Sequence, residues 1–248
     1  MSFNYDVLLE RALDAVGVPY RLFPDRYLSV NKYGAVVDDA REEVIVLKMH
    51  GSIDWFDRTQ YDQVEGERLK AGLPPGHSDP VFGRIQERKV TPLTDGPRFL
   101  TDPLMNIYRV GDIEGLYRND PLFFATPVLL NPSPAKLVYS TIFRGFWDGL
   151  GRLGVFNFGM TIIGFSMPPQ DEYLRQVLYR LVRNYQDAHP DDGALGHTKT
   201  PLVLIDYRSS KQSRRELLDR YRFVDFDKTI VLWNGFDEEA LATLQRNS

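Results

Sequence analysis

Apolar residues near the start of the chain recur at helical intervals. Leu9, Ala12, Leu13 and Val16 share one face, and Gly17 is a natural stop, so a helix is predicted over about Tyr5 to Val16. "VPYRLF" (18–23) reads as a short strand. In "EEVIVLKMHGS" an apolar run from Val44 to Met49 suits a strand covered on both faces, as in a parallel sheet. From 57 to 125 the pattern lapses into Gly, Pro and charged residues. A structureless loop of that length is unusual in a compact domain, so an insertion or lid with short elements of its own is expected. Alternation then returns. Strands are predicted at 126–134, 158–166 and 201–207, and strand-like runs at "RFVDF" and "TIVLW". Helices are predicted at 135–150, 169–188, 211–221 and 237–246. In the second of these, Leu174, Val177, Leu178, Leu181, Val182 and Tyr185 form one apolar face. Strands alternating with helices predict an α/β fold, a doubly wound parallel sheet with helices on both faces, in a single domain over 1–248.

Composition narrows the partners. The 248 residues are 43% hydrophobic and 26% charged, with a net charge of −4. A mildly acidic chain without a basic block is a poor nucleic-acid binder, which needs Lys and Arg to displace counterions. There is no Cys, so disulfides and thiolate zinc sites are excluded. No His/Asp/Glu spacing suggests another metal site. No secretory signal and no bilayer-length apolar run is present, so a cytoplasmic protein without a membrane partner is expected.

Several short stretches could carry chemistry. Asn4-Tyr5-Asp6 stands at the mouth of the first helix. Asn and Asp are ordinary helix starters there, which is the first reading, and the sharper alternative is the tip of a ligand crevice. "GLGRLG" (149–154) has the spacing of a dinucleotide loop, but it ends a helix and leads into a strand, the reverse of what a pyrophosphate site needs. "KMHGS" is better placed. His50 is expected at the C-terminal end of a buried strand, where open parallel sheets bind ligands, and it can serve as a base or merely cap the strand. Gly51 would let the backbone turn sharply beside a ligand. In "IIGFSMPPQD", Gly164 and Ser166 offer a backbone N–H and a hydroxyl to a phosphate or ribose. Asp206 ends another strand, as a ribose ligand or as a turn residue. His77, His189 and His197 read as surface residues. The acidic pairs Asp38-Asp39, Asp191-Asp192 and Glu238-Glu239 read as solvated charges.

Taken in order, "FNYD", "LKMHGSIDWF", "PVLLNPSPAK" and "IIGFSMPPQD" resemble the sirtuin-like domain family, and its bacterial, zinc-free branch in particular. The resemblance spans nearly the whole chain except 57–125. It implies a Rossmann-like sheet that binds NAD and breaks the bond between nicotinamide and ribose. By motif match, Asn4 resembles the asparagine beside the nicotinamide ribose, and Asp6 the aspartate near the carboxamide pocket. His50 resembles the catalytic histidine, with Gly51 beside it. Gly164 and Ser166 match residues near the phosphates or adenosine ribose, and Asp206 is the loosest match, on the adenosine ribose. Without the four-cysteine zinc module, the implied activity is NAD hydrolysis, which in many bacterial relatives serves antiphage defence, rather than protein deacylation. The family's Gly-rich phosphate loop lies upstream of Asn-Tyr-Asp, and this sequence begins beyond it. The first βα unit is therefore expected to be absent, the chain to be a fragment or a degenerate domain, and NAD binding and activity to suffer. An open sheet flank would also invite self-association into a homo-oligomer. The alternative function is a non-catalytic interaction or sensor module that keeps the fold.

Overall fold

The computed structural model describes residues 1–76, 79–120, 126–131, 141–147, 157–187 and 199–246. These fall into two compact units, the first up to Asn131 with the helix at 141–146, the second from Trp147 onward.

In the first unit, α1 spans Leu8–Val16 and stops on Gly17, which takes the left-handed conformation at φ 69°. It starts later than the periodicity predicts because the preceding residues are paired elsewhere. Ser2 N–H donates to the Leu47 carbonyl (2.8 Å), Met49 N–H to Ser2 (2.9 Å) and Ile53 N–H to Tyr5 (2.9 Å). Ser2 and Lys48 form a parallel bridge. The expected apolar face is also not the buried one. Leu9 and Val16 are 45% and 71% exposed, whereas Glu10 is 1% exposed. What α1 packs against here carries a buried lysine, and charge complementarity outweighs the apolar pattern.

β1 (Tyr20–Arg21) pairs in parallel with β4 (Val44–Ile45), and β2 (Tyr27–Asn31) pairs antiparallel with β3 (Gly34–Val37). Then come β5 (Gly51–Asp57), α2 (Thr59–Lys70), β6 (Val90–Pro92), β7 (Ile107–Val110), α3 (Ile113–Asn119), β8 (Thr126–Leu129) and α4 (Thr141–Trp147). β6-β7-β5-β8 form an antiparallel four-stranded sheet.

Two expectations are corrected. The run Val44–Met49 is not a buried strand: only Val44–Ile45 is strand, and both residues are exposed. β-branched residues favour extended backbone locally, but tertiary neighbours decide what covers them. Nor, among the described residues, does one doubly wound parallel sheet run through the chain: the strand that follows His50 is antiparallel to both its neighbours, and the described strands lie in four separate sheets. β5 is covered on both faces, so the alternation that marks a half-exposed antiparallel strand is missing from its sequence. The stretch 57–125 does carry its own elements. Its strands β6 and β7 join the β5 sheet, and Phe56, Val81, Phe82, Val110, Ile113 and Leu116 share one core.

The second unit keeps the expected α/β pattern on a small scale. β9 (Thr161–Ile163), β10 (Leu202–Ile205) and β11 (Thr229–Leu232) form a parallel sheet with β10 in the middle. Helices α5 (Glu172–Asp187), α6 (Lys211–Arg220) and α7 (Glu238–Arg246) cover it. All of β10 is buried. Leu202 and Leu204 pack with Leu178, Leu181, Val182 and Leu217, while Val203 and Ile205 pack with Ala240 of α7. Helices thus lie on both faces. "RFVDF" is not a strand: Gln186 donates to the Asp225 carbonyl (2.9 Å) and accepts from the Asp225 N–H (2.9 Å), replacing a ladder partner. Among the described residues no helix is long and apolar enough to cross a membrane.

Candidate functional site

The first unit brings the Asn-Tyr-Asp and His-Gly-Ser stretches together. The backbone pairing of Ser2–Tyr5 along 47–53 sets the Phe3 and Tyr5 rings 5.6 and 5.9 Å from the His50 ring. Asn4 lies between those two residues in sequence and is exposed. His50 is 4% exposed. It sits in the turn between Lys48 and β5, not at the end of a long buried strand, because the chain reverses before the main strand begins. The Tyr5 hydroxyl donates to the Leu130 carbonyl (2.5 Å), and Ser52 Oγ to the Tyr5 carbonyl (3.2 Å). Asp6 plays the helix-start part: its Oδ1 accepts from the Leu8 N–H at 3.0 Å.

Beneath this turn lies a charged pair that motif matching passes over. Lys48 and Glu10 are each 1% exposed, with Nζ 3.1 Å from Oε1. The ammonium also donates to the Asp6 carbonyl. The pairing is close but poorly directed, and neither Glu10 oxygen has a well-angled hydrogen bond. Lys48, two residues before His50, therefore ties the Asn-Tyr-Asp segment to α1. The signal in sequence is one cation inside an apolar run.

Gly51 has a structural explanation. Its φ is +80°, and a Cβ there would stand 1.8 Å from the Val128 carbonyl oxygen. The backbone of β8 occupies that space, and Leu130 N–H donates to the His50 carbonyl (2.9 Å). Gly51→Ala combines a left-handed alanine, about 1–2 kcal/mol, with a clash against backbone, about 1–3 kcal/mol. A loss of about 2–5 kcal/mol is expected, read as a lower urea midpoint; an unchanged midpoint would contradict the β5–β8 register.

In the second unit, Gly164 and Asp206 follow adjacent parallel strands in register, since Ile163 pairs with Ile205. They share the C-terminal edge of the sheet, where α/β folds bind ligands. Gly164 has φ +62° and open space where a side chain would be. Its N–H is spent on the Ile205 carbonyl (2.8 Å). Ser166 is half-buried, and its carbonyl accepts from Arg220 Nη1 (3.0 Å). Met167, buried, is held at φ 49°, a conformation costly for a residue with a side chain. Asp206 is 6% exposed, with Oδ2 3.3 Å from Arg208 Nη2. Burial and the Asp206 charge push the Tyr221 hydroxyl well above its ordinary pKa. That hydroxyl donates to the Phe165 carbonyl (2.7 Å) and steadies the same loop.

A cavity of about 490 Å³ in the first unit is lined by a polar network and by none of the predicted site residues. There Arg26 binds Asp95 through two hydrogen bonds (2.7 and 2.8 Å), and Arg21 and Arg26 both pair with Glu43. The Arg26 guanidinium holds the Asp95 carboxyl below its usual range. Glu43 is also held low: burial pushes it up, and the bonds from Arg21 and Arg26 more than offset that. Both groups are depressed in the folded chain, so their stabilisation is present above the unfolded carboxylate pKa and is lost as pH falls. The thermal midpoint is expected to drop between about pH 5 and pH 3, and to drop less in Asp95→Asn. Equal acid sensitivity in the two proteins would remove Asp95 from this role.

"GLGRLG", the "PSPAK" stretch, His77, His189, His197 and Asp191-Asp192 lie outside the described residues. Among the described residues no cluster of three His, Asp or Glu side chains is placed to hold a metal ion. No family model, no curated protein and no solved structure matches the chain.

Proposed function

We propose that the chain is a sirtuin-like NAD-binding domain whose chemistry is hydrolysis of the nicotinamide–ribose bond. The observation that carries this reading is the pairing of Ser2–Tyr5 beside the His50 turn, with Phe3 and Tyr5 rings against the histidine. In this reading nicotinamide leaves C1′ of the ribose through an oxocarbenium-like state. A water positioned by Asn4 gives its proton to His50 and attacks C1′, yielding ADP-ribose, nicotinamide and a proton. The second unit adds support by itself: an open left-handed glycine beside a buried carboxylate, at a parallel-sheet edge, suits a phosphate–ribose ligand. The test is chromatography of NAD incubated with the full-length gene product. Release of nicotinamide and ADP-ribose in equal amounts is expected, and intact NAD would reject the reading.

A second reading, a non-catalytic interaction module of cytoplasmic bacterial origin, is favoured by one observation. Leu8 and Val16 of α1 are 66% and 71% exposed, a surface an associating copy could use. Concentration-dependent sedimentation without NAD turnover would select it.

A further inference from the structure

The second unit carries a groove of about 570 Å³ that none of the sequence motifs marks. Arg175, Tyr179 and Arg180 line it from α5, and Arg220, Arg222 and Phe223 from the end of α6 onward. On α5 these residues are interleaved with the apolar face, as Leu174, Leu178 and Leu181 are buried. Arg175 and Tyr179 are four apart and so lie one above the other on the helix surface.

The arginines are what a structural role leaves unexplained. Several guanidinium groups elsewhere among the described residues are matched to carboxylates: Arg26 to Asp95, Arg109 to Asp54, and on α5 itself Arg183 to Asp187 at 2.8 Å. Among the described residues, Arg175, Arg180 and Arg222 have no such carboxylate, and Glu172 is the one acid in the groove wall. Arg220 donates from Nη1 to the Ser166 carbonyl, which fixes its position and leaves its other donors for the groove. Four guanidinium groups thus gather on one groove of a chain with a net charge of −4. Like charges held together this way repel unless an anion joins them.

The groove also offers a ring. Tyr179 is 49% exposed, and Phe223 meets it edge-on, with centroids 5.5 Å apart and planes at 69°. That contact orients Tyr179 and leaves ring surface for stacking. Planar arginine forks bind phosphate oxygens in pairs, and aromatic faces accept bases. The volume lies within the roughly 300–1,000 Å³ of small-molecule sites. We propose that this groove binds a nucleoside polyphosphate, with phosphates on Arg175, Arg180 and Arg222 and the base on Tyr179. None of the residues lining the groove is among those assigned to NAD, although Arg220 also holds the Ser166 carbonyl, and the proposal does not depend on NAD hydrolysis.

The test is calorimetric titration of the full-length gene product with ATP and, separately, with inorganic tripolyphosphate. In Arg175→Gln/Arg222→Gln, both affinities are expected to fall at least about tenfold. In Tyr179→Ala, ATP should weaken by about two- to tenfold while tripolyphosphate is unchanged. Arg222→Lys keeps the charge but loses the fork, so it should weaken both ligands and provides a gentler variant. Circular dichroism should show all three variants folded. ATP that fails to bind the wild type, or binds the double variant equally well, overturns the proposal. Tripolyphosphate binding as tightly as ATP, with Tyr179→Ala affecting neither, overturns the nucleotide assignment.

Discussion

Replacing Lys48 with methionine is expected to destabilise the first unit by about 3–5 kcal/mol, the usual cost of breaking a buried ion pair from one side. Both partners are 1% exposed, so Glu10 would be left buried without its counter-ion. The Asp6 carbonyl would lose its donor as well. Methionine matches much of the lysine stem, so the effect reports charge rather than a cavity. Domains of ordinary stability have about 5–15 kcal/mol in total, so the variant should unfold at a much lower urea concentration. The double variant Glu10→Met/Lys48→Met removes both charges and should recover most of the loss, because replacing a whole buried pair by apolar groups is often close to neutral. A single variant as stable as the wild type would mean that this pair does not hold α1 in place.

The second large effect concerns His50. His50→Gln is expected to lower NAD cleavage by about 10²–10⁴-fold, the range a general base contributes. The position by sequence suggests a residue whose loss would leave stability untouched. The structure corrects this, because the ring is 4% exposed and packs against Phe3 and Tyr5. Truncation to alanine would therefore leave a cavity and confuse stability with chemistry. Glutamine retains much of the volume and a polar end, and removes the titrating group. Activity retained at the parent rate in folded His50→Gln would end the proton-accepting role.

What could be read from the sequence depended on how local the cause was. The α5 face was legible because Leu174, Val177, Leu178, Leu181, Val182 and Tyr185 repeat at helical intervals; all but the half-buried Val177 are buried, and Leu178, Leu181, Val182 and Tyr185 share a core with Leu202 and Leu204 of β10. β10 itself was legible as an uninterrupted apolar run. The facing of α1 was not, since it depends on Lys48, which reaches Glu10 only after the chain has returned. The antiparallel setting of β5 was hidden by its burial on both faces. Gly51 invited a ligand explanation, whereas the Val128 carbonyl, far along the chain, supplies the reason. The residues Asn4 and His50 could be picked out as motifs, but their approach is made by the backbone bonds of Ser2–Tyr5, which no motif encodes. The arginine groove joins two distant stretches and so had no signature at all.

The proposed chemistry is tested most directly by supplying NAD to the full-length gene product in water enriched in heavy oxygen. The account predicts equal amounts of nicotinamide and ADP-ribose, with the heavy oxygen at C1′ of the ribose, and loss of both products in folded His50→Gln. NAD left intact by the folded wild type, or ADP-ribose formed at the same rate without His50, would contradict it.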